Sequence, residues 1–203
     1  MTLAFDHIAV SAHTLEEGVD WVEQALGVQM AGGGKHPLMA THNRLLGLGD
    51  LYLEVIAIDP AGAAPAQPRW FDLDRFTGPP RLTNWVARTD DMAATLAISP
   101  QGSGVPLSLA RGDYRWKMAV PTDGILPYDG AYPALIEWQT PLHPTQALPD
   151  VGVRLQCLTI EHPQAEALRA ALTLHDPRVI IAQGLRKSLS ATFQTPFGTR
   201  RLG

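Results

Sequence analysis

The feature that most restricts what this chain can fold into is a recurring pattern: a short apolar strand, a polar cap residue, then an amphipathic helix. Its first occurrence is Phe5-Asp6-His7-Ile8-Ala9-Val10, followed by Thr14-Leu15-Glu16-Glu17. Thr14 with Glu17 fits a capping box, in which hydroxyl and carboxylate each accept an orphan backbone N–H. Leu15, Val19, Val22 and Leu26 fall on one helical face, and Gly27 is a natural left-handed stop. The second occurrence is Leu82-Thr83-Asn84-Trp85-Val86-Ala87, with Thr89 or Asp90 as cap and Met92, Thr95 and Leu96 following. The third is Leu155-Gln156-Cys157-Leu158-Thr159-Ile160. Pro163 is placed there for a first helical position, and Ala165, Leu168 and Leu172 line a face.

More strand-like segments follow each pair. After the first come a Gly32-Gly33-Gly34 turn, the stretch Thr41–Leu46 and the run Leu51–Ile58. After the second come Ser108–Arg111, Arg115–Val120 and Ala134–Gln139; after the third, Arg178–Ala182 and Ser190–Gln194. The chain therefore reads as β-α-β-β-β twice, in an α+β class, with a shorter βαββ third copy. The divisions are residues 1–60, a linker or lid over 61–81, residues 82–142, and the third copy over 151–203. The long proline-bearing connections Asp59–Pro80, Pro121–Pro133 and Thr140–Pro149 suit lids or rims. At 203 residues the whole is expected to share one core, with roughly 70% of the unfolded chain's surface buried.

Composition narrows function by exclusion. The single cysteine, Cys157, allows neither an intramolecular disulfide nor a Cys-rich zinc site. A net charge of −4 argues against a nucleic-acid or anionic-membrane surface. No apolar run approaches the ~20 residues of a membrane helix, and the first residues carry neither a basic start nor a long apolar stretch. A soluble, cytoplasmic protein is the expectation.

Polar residues inside the strands are the functional signal. Glu54 shares a strand face with Tyr52 and Ile56, whereas Leu51, Leu53, Val55 and Ala57 form an apolar opposite face. Glu137 shares a face with Leu135, and Asn84 stands in the second copy where His7 stands in the first. A carboxylate inside an apolar strand is costly unless paired, hydrogen-bonded or bound to a cation. A lone strand histidine is more often a hydrogen-bonded core residue than a ligand, and a single strand glutamate more often faces solvent. Repetition at matching points changes that balance. If the two copies face each other across a cleft, His7, Glu54, Asn84 and Glu137 converge. One imidazole and two carboxylates suit Zn, Ni, Mn or Fe as a divalent ion.

The paired layout, with Asp6-His7-Ile8-Ala9-Val10 and Tyr52-Leu53-Glu54-Val55-Ile56, resembles the vicinal oxygen chelate superfamily and, within it, the glyoxalase-like domain proteins. His36-Pro37-Leu38-Met39-Ala40-Thr41-His42-Asn43-Arg44-Leu45-Leu46 and Pro133-Ala134-Leu135-Ile136-Glu137-Trp138 carry the same resemblance, which covers about residues 4–142. It implies a cupped eight-stranded sheet with metal ligands on the first and last strands of each module, which by position are His7, Glu54, Asn84 and Glu137. Asn84 departs from the His or Gln of glyoxalase I types, and a second His ligand of the dioxygenase type is missing.

The reading that follows is a metal-dependent lyase or isomerase on a small vicinal-oxygen substrate, with Glu54 or Glu137 taking a proton. His36, Thr41, Asn43 and Arg44 would line the pocket rim, and Arg111, Arg115 and Trp116 would hold an anionic or aromatic part of the ligand. The competing reading is a metal-free small-molecule-binding protein on the same fold. The third copy would complete a sheet edge or form a homodimer contact, with Glu161-His162-Pro163 as a helix start.

Overall fold

A computed structural model describes residues 3–203. The first module runs β1 (Leu3–Ser11), α1 (Leu15–Leu26), β2 (Ala31–His36), β3 (Thr41–Gly47) and β4 (Tyr52–Ile58). The capping box forms: Glu17 N–H donates to Thr14 Oγ1 at 3.2 Å and Thr14 N–H to the Glu17 carboxylate at 3.4 Å. Gly27, at φ 74°, ends the helix in the left-handed region. The glycine run, expected as a turn, is the edge strand β2. Its small residues allow a close approach to β3, since a Cβ on Gly33 would stand 1.9 Å from the Asn43 carbonyl oxygen.

The second module runs β5 (Arg81–Thr89), α2 (Met92–Ile98), β6 (Val105–Arg111), β7 (Tyr114–Val120) and β8 (Ala134–Trp138). The cap of α2 is Asp91, not Thr89 or Asp90. Its carboxylate accepts from Ala94 N–H at 3.0 Å, while the Thr89 hydroxyl accepts from Asp91 N–H at 3.1 Å. The two modules join through antiparallel β1 and β5 into one curled eight-stranded sheet, ordered β2-β3-β4-β1-β5-β8-β7-β6. Alternation then sorts the side chains. Ile8, Val10, Leu53, Val55, Trp85 and Leu135 enter the core on the helix side, and Ala9, Ile56, Val86, Met118 and Ile136 face the hollow of the sheet.

The third unit is β9 (Arg154–His162), α3 (Ala165–Ala171), β10 (Val179–Gln183), β11 (Ser188–Thr195) and β12 (Gly198–Leu202). It carries one strand more than the sequence pattern predicts. Its order, β10-β9-β11-β12, also differs from a module, because β9 lies between its parallel neighbour β10 and antiparallel β11 instead of pairing with the last strand. Pro163 lies ahead of the helix, and His162 Nδ1 accepts from Gln164 N–H at 3.0 Å, tying down the helix entry. Leu158, Ile160, Phe193 and Leu202 share one core with α1 and the helix side of the large sheet. Phe193→Ala is therefore expected to cost about 3–5 kcal/mol in urea unfolding, as for a fully buried aromatic whose site collapses incompletely. A loss below 1 kcal/mol would show that the two sheets do not depend on each other. No described helix is long and apolar enough to cross a membrane.

Candidate functional site

Position along β1 explains how two adjacent residues come to act together. In a regular strand, neighbours point to opposite faces. Here Phe5 pairs with Ala87 and His7 with Val86, so Asp6 is the extra residue of a β-bulge. The bulge turns the Asp6 carboxylate beside the next residue's ring, and His7 Nδ1–H donates to Asp6 Oδ1 at 2.6 Å. Asp6 is fully buried, and its other oxygen accepts from His143 Nε2–H at 3.0 Å and Trp138 Nε1–H at 3.1 Å, with Arg88 at 3.7 Å. Burial alone would raise the Asp6 pKa, but the hydrogen bonds from His143 and His7 outweigh it and hold the carboxyl well below its usual range.

His7 Nε2 is left facing the hollow, 3.7 Å from Glu54 Oε2, and the ring stacks on Tyr52 with centroids 4.3 Å apart. Burial opposes the imidazolium charge, yet the carboxylates of Asp6 and Glu54 on either side raise His7 to about 9. Burial likewise pushes Glu54 up, but the neighbouring His7 cation and the Asn43 hydrogen bond bring it below its ordinary value. The pair is ionised at neutral pH.

Asn43 anchors the other end. Its Nδ2 donates to Glu54 Oε1 at 2.6 Å and approaches His36 Nε2 at 3.5 Å. Its Oδ1 accepts from Gly34 N–H at 2.8 Å and Arg111 Nη1–H at 3.1 Å. Every donor and acceptor position of the amide is engaged, which fixes its orientation. His36 in turn donates from Nδ1 to Thr41 Oγ1 at 3.0 Å; burial, with the Arg111 cation, lowers it to about 4, so it stays neutral.

Together these groups line one side of a small cavity of about 40 Å³, room for about three waters. Trp70, Phe71, Trp116 and Trp138 form aromatic walls. Trp70 and Phe71 come from a short 3-10 strap, residues 70–75, within the stretch 61–81. Phe71 (φ 59°) and Asp72 (φ 55°) hold left-handed backbone there, a strain the surrounding packing must support. The buried Trp70 Nε1–H has no partner among the described residues.

A family model described as a glyoxalase-like domain matches residues 5–174. The chain belongs to the glyoxalase-like domain family. A hypothetical protein from Staphylococcus aureus shares its fold at 14% identity, with a TM-score of 0.66 over 93% of this chain and 88% of that one. A hypothetical protein from Bacillus halodurans (11% identity, TM-score 0.47, 70% and 98% covered) and methylmalonyl-CoA epimerase from Mycobacterium tuberculosis (14%, 0.42, 66% and 85%) are more distant in shape. No curated protein matches the chain.

In this glyoxalase-like chain the residues singled out from sequence divide into two groups. His7, Glu54, His36, Asn43, Arg111 and Trp116 line the cavity, with Thr41 behind His36. Arg44 is exposed on β3, and Arg115 is exposed and donates to the carbonyls of Gly112 and Tyr114. Glu137 lies on the helix side of β8, where its carboxylate accepts from Met92 N–H at 2.9 Å and closes the start of α2. Asn84 donates to the Gly130 carbonyl at 3.4 Å and borders a different hollow. Strand register explains both displacements: Ile136 lines the cavity and Glu137, the next residue, points to the opposite face, while Asn84 pairs with Ala9, two residues along β1 from His7. The participation of Asp6, His143 and Trp70 is absent from the sequence reading, and the adjacency of Asp6 to His7 was its one available sign.

The donor set decides whether the divalent ion implied by the superfamily fits. Of the four ligands that the resemblance implies, only His7 and Glu54 line the cavity. Among the described residues no group of three or more His, Cys, Asp or Glu side chains is arranged to hold a metal. The residues present do not fit a chelated divalent ion.

Proposed function

We propose that the protein binds a compact carbonyl compound bearing an acidic group and moves one of its protons, an isomerase- or lyase-type step without a metal. The observation that carries this reading is the charged His7–Glu54 pair, 3.7 Å apart and each backed by its own anchor, facing an otherwise aromatic cavity. Glu54 would take the proton from the carbon beside the carbonyl. His7 Nε2–H would donate to the carbonyl oxygen and stabilise the enolate charge that develops there. Once the planar enolate has turned in the cavity, Glu54 returns the proton to its other face and inverts that carbon, while His7 keeps its own N–H. Arg111 spends one N–H on Asn43 and has others to offer a substrate carboxylate.

The test is deuterium wash-in. Chelator-treated protein in D2O is incubated with short-chain 2-oxo and 2-hydroxy acids, and exchange beside the carbonyl is followed by proton NMR. Exchange undiminished by chelator is expected. Exchange that appears only on adding Zn, Ni, Mn or Fe would overturn the metal-free assignment. A second reading, binding without turnover, is favoured by one observation: the His7 cation lowers the basicity of Glu54. Saturable binding of one of these acids with no exchange would select it.

A further inference from the structure

A second hollow, of about 470 Å³, opens between β5, the 124–130 loop and the turn into β11, with Phe71 lining both it and the His7 cavity. Its floor is Asn84 and Gly130, both buried, and exposed Arg75, Arg81 and Arg186 stand at its mouth. Half-buried Lys187 reaches in beside Gly130. A Cβ on that glycine would lie 2.9 Å from Lys187 Nζ and 3.3 Å from Asn84 Nδ2, so an ammonium and an amide donor converge on one spot.

The charges there are unbalanced. Asp72 is committed to Arg75 at 2.6 Å, and exposed Asp129 faces His162 at 4.0 Å. Gly203, at the chain end, also borders the hollow. Among the described residues the Lys187 ammonium has no hydrogen bond or ion pair. Burial, with the Arg81 cation, pushes Lys187 down to about 8, although the carboxylates of Asp129 and Asp72 act in the opposite direction. An ammonium in this position is stabilised by whatever anion completes it.

We propose that this hollow is a second ligand site, for a small oxyanion with more than one negative charge, of the phosphate type, held by Lys187 and Asn84 at its floor and by Arg81 and Arg186 at its mouth. Two buried-side donors, Lys187 Nζ and Asn84 Nδ2, and two guanidinium groups line the same hollow. That suits a tetrahedral group better than a planar carboxylate, which a single guanidinium grips bidentately. The site is independent of the proton-transfer reading, since none of these four side chains touches the His7 cavity.

Calorimetric titration of the full chain with inorganic phosphate at low ionic strength tests it. Saturable binding of one phosphate per chain is expected. Lys187→Met should weaken it about tenfold or more, the loss of one charge-assisted hydrogen bond. Arg186→Gln, at an exposed position that folding does not need, should weaken it several-fold, and Arg111→Met in the other cavity should leave it unchanged. Absence of saturable binding would overturn the site, as would wild-type affinity in both Lys187→Met and Arg186→Gln, or loss of binding in Arg111→Met. Tighter binding of malonate than of phosphate would overturn the ligand class.

Discussion

Asp6→Asn is expected to destabilise the protein by about 3–5 kcal/mol at neutral pH, the range for breaking a buried charge pair by removing one partner. The same change should lower the His7 titration from about 9 by more than about one unit, because an opposite charge in contact accounts for a shift of that size. Asp6 is fully buried and serves His7, His143 and Trp138 together, so the substitution leaves three donors short of a carboxylate. The pH dependence follows from the directions of the shifts. His7 rises from 6.5 to about 9 on folding, so its contribution, about 3 kcal/mol, is full below about 6.5 and disappears as pH climbs through 9. Asp6 is depressed on folding, so its contribution is present above its ordinary value of 3.8 and is lost as pH falls below it. His36 runs the other way: lowered from 6.5 to about 4 on folding, it costs stability as pH falls below 6.5. Wild-type stability should therefore be greatest near 6.5 and fall on both sides, and the variant, which keeps Glu54 beside His7, should lose part of the alkaline slope. Urea unfolding across pH, with imidazole NMR titration, reads both quantities. Equal stability and an unmoved His7 titration would show that Asp6 does not hold the site together.

Glu54→Gln should abolish most of the proposed exchange, by about 10²–10⁴-fold, the usual worth of a positioned base, with little change in substrate affinity. Glutamine keeps the shape and can still accept from Asn43 Nδ2 through its amide oxygen, so the cavity should survive. The His7 titration should also fall from about 9, since one of its two flanking carboxylates is gone. His7→Gln is the complementary variant: it leaves Glu54 without its cation, raises the carboxyl pKa, and removes the donor to the carbonyl oxygen. If Glu54→Gln exchanged deuterium at the wild-type rate, the base would have to be another group, and the cavity pair would be an ion pair that supports the fold.

Much of the architecture was legible because it rests on local chemistry. The Thr14–Glu17 capping box, the Gly27 stop, the amphipathic face of α1 and the apolar alternation of β4 are each set by residues a few positions apart, and each forms as read. Alternation also put Glu54 on the same strand face as Tyr52, and both line the cavity. The fold-level resemblance held for the same reason: an ordered succession of such local signals leaves few ways to close a sheet.

What sequence could not supply was register between distant strands. Reading Asn84 and Glu137 as counterparts of His7 and Glu54 assumes an unbroken match between the modules. The sheet instead pairs Asn84 with Ala9, two residues along from His7, and presents Ile136 to the cavity, so a step of one residue sends Glu137 to the opposite face, onto the start of α2. The bulge at Asp6 is equally nonlocal, because only the pairing of Phe5 with Ala87 and of His7 with Val86 leaves Asp6 as the extra residue. That pairing gives His7 its carboxylate partner, while the arrival of His143 and Trp138 from far along the chain keeps that carboxylate ionised in the interior. Sequence alone determined the strand and helix modules and the strand face that Glu54 shares with Tyr52, since these follow from relations a few residues apart. Only the tertiary structure decided which charges meet, because a one-residue shift in strand pairing exchanges one face of a sheet for the other.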